Sequence, residues 1–316
     1  MKKINIIMML AALLIAGACT HKIHFEVDMP QDEDGGKYPA PEGLGYLGND
    51  LAWEDIADQK SEITHLKYTV TGANGVKEVK EFNSPKEACE WMIPLPVGEY
   101  DVLVAANMDA ANGFILSETG DKAPNLALPT TIARLRDPSS NPKQAWNGIA
   151  HVKVEANKMT TVHLDLDRLM ALFTLKVNNV PEGTLIDVSI RNACEFVTLT
   201  ELRAEGHYGL PSTTISENVI LGRLTAENAT TGINEFKVYP TAKSLDKTIL
   251  MFHIKTHAGI DLDYVGEAPV MENGKKYVLT LDYTKLTPYM YITSTAINDW
   301  TDAWSFDGEV LNPQAN

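Results

Sequence analysis

The sequence predicts an all-β protein with two tandem antiparallel β-sandwich domains behind a cleavable leader. Apolar and polar residues alternate with period two along much of the chain, whereas helical periodicity is nearly absent. Turn residues separate the alternating segments, and no long helical stretch is present to connect parallel strands. A chain of 316 residues has room for two sandwiches of ordinary size.

Residues 1–18 have the composition of a signal peptide. Lys2 and Lys3 form a positive start, residues 4–15 are apolar apart from Asn5, and small residues precede Cys19. The apolar run is shorter than the roughly 20 residues that a membrane span needs. Cys19 is therefore the predicted lipidation site, where palmitate and related acyl groups would hold the mature chain at a membrane. An ordinary secretory signal that places Cys19 beside the cut by chance is the alternative.

The charge of the chain restricts its partners. It contains 27 lysines and arginines against 42 aspartates and glutamates, which gives a formal net charge of −15. Such an excess repels the phosphates of nucleic acids and the headgroups of anionic lipids. Nucleic acid and a peripheral membrane surface are therefore not expected as partners.

Two cysteines, Cys89 and Cys194, remain after the lipidation site. They are too few for a disulfide framework or a tetrahedral metal site, so both are expected to be small buried residues. A single bridge between them would join the two halves of the chain and is the alternative. No metal or other cofactor is predicted.

The first alternating segment follows directly on the lipidation site. Its predicted inward positions are Ile23, Phe25 and Val27. We treat this strand as a candidate for partner binding. Residues 28–61 carry an acidic run and several prolines, and they are predicted to be an irregular exposed connection.

The clearest local hairpin comes next. Residues 66–71 alternate, and residues 76–82 are predicted to run back against them. Asn74 and Gly75 supply the positive φ angles that a tight turn requires.

The remainder of the first half mixes a short helix, a loop and three strands. Ser84, followed by proline, predicts the start of a helix of at most three turns. Gly98 opens a strong strand, and residues 107–147 are predicted to be loop because prolines interrupt them. Strands at 152–154 and 162–167 close this half.

The alternating pattern restarts around Arg168, where we place the domain boundary. The predicted N-terminal domain spans 19–167 and the C-terminal domain spans 168–316. The predicted strands of the second half cover 171–177, 186–190, 196–202, 236–239, 250–254, 277–283 and 290–296.

One polar row has the residue types of a catalytic or metal site. His163, Asp165 and Asp167 occupy alternate positions of one strand and therefore share a face. The opposite face is apolar, so a solvated strand face explains the row. A hydrolytic or metal role would require the row to face a cleft. The chain lacks the common nucleophile, zinc and phosphate-loop motifs.

Tryptophans offer the other candidate site. Trp53 and Trp146 could form a platform on which sugar rings stack. Each also lies beside a turn or strand end, where tryptophans that close a core are common. The sequence leaves both interpretations open.

Several short motifs resemble the Bacteroidales fimbrillin-like superfamily of fimbrial subunit lipoproteins. They are, in chain order, 19–22 (CTHK), 95–107 (LPVGEYDVLVAAN), 166–171 (LDRLMA), 273–281 (NGKKYVLTL) and 297–300 (INDW). Their order and spacing carry the resemblance, which spans most of the mature chain.

The resemblance implies two transthyretin-like sandwiches and an outer-membrane lipoprotein at the cell surface. It also implies that the protein is not an enzyme and that it acts in fimbria assembly and adhesion. Its implied partners are other fimbrial subunits, bound by β-strand addition. Stalk subunits of that superfamily lose their first strand to an arginine-specific protease. The first arginine here is Arg134, far beyond the first strands. An anchor or accessory subunit is therefore expected; a stalk or tip subunit and a surface glycan-binding lipoprotein are the alternatives.

Overall fold

The computed structural model describes residues 20–25, 42–56, 62–286, 288–291 and 304–307. The described chain is almost entirely β-strand, which confirms the predicted fold class. Among these residues no helix is long and apolar enough to cross a bilayer. The leader, Cys19, Val27 and the acidic run after it lie outside the described residues.

The first half contains ten strands and one short helix within the described ranges. The strands are β1 Thr20–Phe25, β2 Leu44–Ile56, β3 Leu66–Gly72, β4 Lys77–Phe82, β5 Ile93–Pro96, β6 Gly98–Ala106, β7 Phe114–Lys122, β8 Pro129–Leu135, β9 Trp146–Val154 and β10 Met159–Arg168; the helix is α1 Pro85–Cys89.

The second half contains thirteen strands within the described ranges. They are β11 Ala171–Asn178, β12 Leu185–Ile190, β13 Ala193–Cys194, β14 Phe196–Ala204, β15 His207–Pro211, β16 Ile215–Ser216, β17 Val219–Leu224, β18 Ile233–Val238, β19 Thr248–Lys255, β20 Asp261–Ala268, β21 Lys276–Asp282, β22 Tyr289–Tyr291 and β23 Trp304–Asp307. A 3₁₀ turn covers Tyr283–Lys285.

An eight-stranded sheet forms the first sandwich. Its order is β1-β2-β10-β9-β6-β3-β4, with β5 paired to β2. The ladder between β9 and β10 has only two residue pairs, and the two parts of the sheet enclose one apolar core. Leu51 and Leu164 enter this core from one part, and Tyr68 and Val102 from the other.

The longest strand of this sandwich was missed in the sequence. β2 has 13 residues and lies within 28–61, which was predicted to be an irregular connection. Its glycines weaken the strand pattern, but they serve packing: a Cβ on Gly45 would lie 2.1 Å from the carbonyl oxygen of Glu155. β2 also pairs in parallel with β10, and the sequence did not predict a parallel pair.

The predicted loop at 107–147 is wrong in its central part, where β7 and β8 form a hairpin. This hairpin belongs to a four-stranded sheet of order β15-β14-β8-β7. Since β7 and β8 come from the first half and β14 and β15 from the second, we call it the shared sheet. It packs over Leu103 and Ala105 of β6, whose other face lines the first core.

The second sandwich consists of two sheets face to face. One has the order β18-β11-β21-β23 and the other β17-β12-β19-β20-β22. Phe173 and Tyr277 from the first sheet meet Val188 and Phe252 from the second in a common core. The division into 19–167 and 168–316 stays a prediction, because the shared sheet joins the two halves.

The predicted hairpin turn is correct in place but differs in detail. Gly75 has a φ of +86°, whereas Asn74 does not take a positive φ. The Asn74 side chain instead accepts a hydrogen bond from the backbone of Val76, at 3.1 Å. The predicted helix start is confirmed, since the Ser84 hydroxyl accepts from the backbone N–H of Glu87 at 3.2 Å.

Candidate functional site

The first strand occupies the end of its sheet. β1 pairs antiparallel with β2 through all six of its residues, and Ile23 lies opposite Trp53. Ile23 is half-buried against the first core, as its inward position predicts. The backbone of Phe25 is part of β1, while Val27 lies outside the described residues. β1 is therefore the end strand of this sheet: one of its edges pairs with β2, and its other edge is the outer edge of the sheet.

The opposite end of that sheet is β4, whose composition discourages pairing. Lys77, Glu78, Lys80 and Glu81 place charges along the strand. Charged end strands oppose the addition of another chain, because pairing would desolvate the charges. The Lys77 ammonium also lies 2.5 Å from the Glu118 carboxylate on β7.

The second sandwich has its own protection at the edge formed by β17 and β18. The loop at 137–141, which we call the guard loop, reaches both strands from the first half. The Ser139 hydroxyl accepts a hydrogen bond from the backbone N–H of Ile220 at 2.9 Å. The Asn141 side-chain oxygen accepts from the backbone N–H of Lys237, also at 2.9 Å. Each end strand therefore has one of its outward-facing backbone N–H groups hydrogen-bonded to the guard loop.

The Lys237 side chain adds to this contact. Its ammonium lies 3.4 Å from the same Asn141 oxygen and 3.3 Å from the carbonyl oxygen of Glu235. Burial lowers the pKa of Lys237, and the nearby Glu235 carboxylate opposes that shift. The ammonium is therefore part of the packed edge.

The tryptophan platform is not supported. Trp146 is fully buried, and its ring carries the Arg168 guanidinium at 5.4 Å. Trp53 is 6% exposed and packs in the first core. Neither ring presents an open face on which a sugar could stack, so both act as core tryptophans.

The three residues of the polar row on β10 contact different partners. Val162, Leu164 and Leu166 are buried on the other face, as the alternation predicts. His163 pairs with Asp50, and Asp165 lies 2.6 Å from the Lys22 ammonium. Asp167 contacts the His207 ring at 2.7 Å and the Arg203 guanidinium at 3.3 Å. Within the described ranges, no group of three or more histidine, cysteine, aspartate and glutamate side chains is arranged to hold a metal.

Part of this row borders a cleft where the two halves meet. The cavity measures about 490 Å³, and we call it the junction cleft. Its lining comes from β1, β2, β10, the β14–β15 hairpin and the loop before β21: Lys22, Ala52, Trp53, Asp165, Leu166, Asp167, Arg168, Arg203, His207, Asn273, Gly274 and Lys275. Sequence reasoning did not identify Arg203, His207 and Lys275 as lining residues, because they are far apart in the chain and come together only through the fold.

Neither Cys89 nor Cys194 forms a disulfide, and the two lie in different cores. Cys89 is in the first core and Cys194 in the core under the shared sheet. Burial raises the pKa of each thiol to about 12. The bridge that the sequence left open is therefore not formed.

Comparisons with known proteins found solved structures that align with this chain at low identity and with TM-scores below 0.5. A Bacteroides eggerthii protein assigned to cell adhesion has 14% identity and a TM-score of 0.45, covering 86% of this chain and all of its own. The tip fimbrial protein Mfa3 of Porphyromonas gingivalis has 11% identity and a TM-score of 0.44, covering 81% of this chain and all of its own. The fimbrial anchor protein Mfa2 of the same organism has 13% identity and a TM-score of 0.40, covering 69% of this chain and 80% of its own.

No protein-family model matches the sequence, and no curated protein matches it. At these identities no functional residue is transferred from the solved structures. The structural neighbours of this all-β chain include fimbrial and cell-adhesion proteins of Bacteroides and Porphyromonas.

Proposed function

We propose that this protein is a non-enzymatic lipoprotein of the outer membrane that serves as an anchor or accessory subunit of a fimbria. Its lipid on Cys19 holds it at the cell surface, and it binds neighbouring subunits by β-strand addition. The motifs that resemble the fimbrillin-like superfamily support this role, and the structural argument rests on the chain itself.

The position of β1 carries the proposal. The strand begins at Thr20, directly after the predicted lipidation site, and is paired along its full length with β2. A lipid on Cys19 would therefore adjoin the sheet without a spacer. Such a subunit is suited to be the fixed anchor of a fimbria, because its own first strand occupies the position in the sheet that a donor strand of another subunit would otherwise take.

The position of Arg134 supports retention of the first strand. Arg134 lies in β8, faces the Phe196 ring at 4.6 Å and pairs with Glu195 of the second half. A cut there would break the shared sheet instead of releasing β1. Processing at this arginine is therefore incompatible with an intact subunit.

We place strand addition at the first part of β7. β7 is the end strand of the shared sheet, and residues 114–117 carry no charge. Ile115 on this segment is 46% exposed. The backbone N–H of Phe114 already donates to the carbonyl oxygen of Asp109 at 2.9 Å, so we place the addition from Ile115 onward. An uncharged end strand is a surface on which an extended segment of a partner subunit can pair. By comparison, β4 is charged, and the guard loop covers β17 and β18.

Analysis of the native protein from membranes tests the anchor role. We expect the mature chain to begin with a lipid-modified Cys19, and Cys19→Ala to release both the protein and its fimbriae into the medium. Thr20→Ala, a neighbouring change that keeps the cysteine, is the control. A native N-terminus beyond Val27 would contradict the proposal.

The edge on β7 has a separate test. Ile115→Lys should abolish co-purification of fimbrial subunits while the variant remains folded and lipid-anchored. Lys80→Gln on the charged β4 edge is the control. Unchanged co-purification by the β7 variant would remove this edge from the proposal.

A further inference from the structure

A cavity lies on the outer face of the second sandwich. It measures about 370 Å³ and lies on the sheet of order β17-β12-β19-β20-β22, and we call it the face cleft. Residues that alternate with its lining, such as Ile190 and Phe252, enter the core on the other face of this sheet. The lining consists of Asp187, Val188, Ser189, Arg191, Asn218, Ile220, Arg223, Met251, His253 and Asp263. The face cleft is therefore formed by one sheet and is separate from the junction cleft.

A β-bulge and two small residues shape this cavity. The ladder between β12 and β17 shifts register after Val188, which lies opposite Gly222. Ser189 then lies opposite Ile220, and the buried Leu221 is the extra residue of the bulge. Gly222 has no side chain and takes a φ of +149°. A glycine and a serine next to each other leave a depression among the longer side chains of this face.

An apolar row crosses the depression. Ser189 lies opposite Ile220 on β17 and opposite Met251 on β19. Met251 in turn lies opposite Val265 on β20. Ile220 is exposed, and Met251 and Val265 are half-buried. Because side chains at opposite positions of paired strands are neighbours on one face, the row offers a continuous contact for an apolar group.

Two ion pairs border the apolar row. The Arg223 guanidinium donates to both carboxylate oxygens of Asp187, at 2.6 and 2.8 Å. The His253 ring lies 2.8 Å from the Asp263 carboxylate. Each pair joins neighbouring strands, so these side chains hold one another in place and their charges are compensated.

Arg191 is the one charged side chain of the lining that has no ion pair among the residues that the structure describes. Its guanidinium donates to the backbone carbonyl oxygen of Glu217 at 3.2 Å, which uses one of its N–H groups. The Ser189 hydroxyl and the Asn218 side-chain amide also line the cleft, and neither has a hydrogen-bond partner within that same part of the chain. A cation, a hydroxyl and an amide are therefore available to a ligand.

This set of groups selects a ligand with one anionic group and an apolar part. A carboxylate can accept two parallel N–H bonds from the Arg191 guanidinium. The hydroxyl and the amide can bond to a peptide group beside that carboxylate. A bare anion would leave the apolar row without a contact, whereas a neutral apolar ligand would desolvate Arg191 without compensation. The C-terminal end of a polypeptide with an apolar last side chain combines all of these features.

We propose that the face cleft binds the C-terminal end of a partner polypeptide, with its carboxylate at Arg191 and an apolar last side chain on Ile220 and Met251. The adjoining peptide group bonds to Ser189 and Asn218. A cavity of about 370 Å³ lies in the range of small-ligand sites, which suits a short terminal segment. The site is independent of the proposed fimbrial role, because β1 and β7 belong to other sheets.

Fluorescence anisotropy of labelled peptides, titrated with the full mature chain in detergent micelles, tests the site. The probe is a tetrapeptide that ends in two leucines and a free carboxylate. The same peptide with a terminal amide is the control for charge, and a peptide that ends in two glycines and a free carboxylate is the control for the apolar contact. We expect each control to bind about ten-fold more weakly than the probe, because each lacks one contact. Equal binding of either control would overturn the ligand assignment, and no binding of the probe at millimolar concentration would overturn the site.

Variants locate the binding. Arg191→Gln should weaken binding of the probe about ten-fold and leave binding of the amide peptide unchanged, because only the carboxylate contact is lost. Ser189→Leu, which fills the depression, should abolish binding of the probe. Lys255→Gln removes a cation from the same face of β19 outside the lining, and this matched control should bind the probe normally.

Circular dichroism verifies the fold of each variant, and Arg191→Gln decides the question if the fold of Ser189→Leu is altered. Unchanged affinity of Arg191→Gln for the probe would overturn the placement. Failure of the fimbrial proposal, seen as loss of the Cys19 lipid or of subunit binding, would leave these titrations unaffected.

Discussion

The hydroxyl oxygen of Ser139 lies 2.9 Å from the backbone nitrogen of Ile220 and accepts its hydrogen bond. This contact joins the guard loop of the first half to the end strand of the second sandwich. Ile220 is 51% exposed. Without the bond to Ser139, its backbone N–H would be open to pairing with a strand of another chain. An edge protected from within the same molecule limits unwanted pairing between copies.

Removing the guard-loop acceptors should loosen this edge. Ser139→Ala should speed amide exchange at Ile220 about five-fold, since one hydrogen bond contributes about 1 kcal/mol. Asn141→Gly, which tolerates the φ of +49° at that position, should do the same at Lys237. The double variant should self-associate at lower concentration than the wild type. Hydrogen exchange and light scattering measure both effects, with Ser117→Ala as control; unchanged exchange would show that the guard loop does not protect the edge.

Gly148 marks a close approach of β9 to β10. A Cβ there would lie 2.7 Å from the carbonyl oxygen of Asp165 and 2.8 Å from a methyl carbon of Leu166. Gly148→Ala should lower the free energy of unfolding by about 2 kcal/mol, because neither neighbour can move freely. Urea denaturation measures the change. Gly120→Ala, where a Cβ meets nothing within 4 Å, should be nearly neutral.

The buried thiols should resist modification. Because the pKa of Cys89 and Cys194 is raised to about 12, neither thiolate forms at neutral pH. A chain beginning at residue 20 should react with a thiol reagent at pH 8 only after denaturation, and then at both cysteines. Rapid labelling of the native form would contradict this burial.

His253 should give a small pH dependence to stability. The hydrogen bond to Asp263, at 2.8 Å, is the main cause that raises the pKa of His253, and the charges of Asp261 and Asp187 add to it. A histidine whose pKa is raised on folding stabilises the fold below its unfolded pKa, and this contribution is lost as pH rises through the folded value. An NMR titration should place the pKa above the ordinary value of 6.5, and Asp263→Asn should lower it. A pKa of His253 at or below 6.5 would contradict the effect.

The shared sheet should prevent the two halves from folding apart. Phe114 on β7 and Val197 on β14 belong to one buried core. A fragment of residues 20–167 would expose this core and lose the partner of β8, so we expect it to aggregate. The chain from residue 20 should unfold in a single calorimetric transition. Two separate transitions, or a stable fragment, would show that the halves are independent domains.

Strands with regular alternation were predictable because their burial depends on local pattern alone. β10 and β12 show this, since each alternates buried and more exposed positions. β2 was missed because its glycines and neighbouring prolines resemble a loop. β7 and β8 were missed because prolines interrupt this part of the chain, and because the pairing of β8 with β14 depends on residues that are distant in sequence.

The junction cleft was not predictable for the same reason. Its lining residues run from Lys22 to Lys275 and come together only when the two halves meet. Asp165 and Asp167 were recognised as a polar row, but Arg203 and His207, the partners of Asp167, carry no local motif. A cleft lined by residues from distant parts of the chain leaves no spacing signal in the sequence.

The pairing of β8 with β14 has a mechanical consequence for a chain tethered by its N-terminus. Three residue pairs, from Phe196 with Arg134 to Thr198 with Ile132, connect the halves by backbone hydrogen bonds. If the chain is held by its N-terminus as proposed, traction on the second half would be transmitted to the first half through a β-ladder as well as through the short connection after Arg168. Drag from flowing liquid would load both paths at once, and the subunit would resist stretching as a single body.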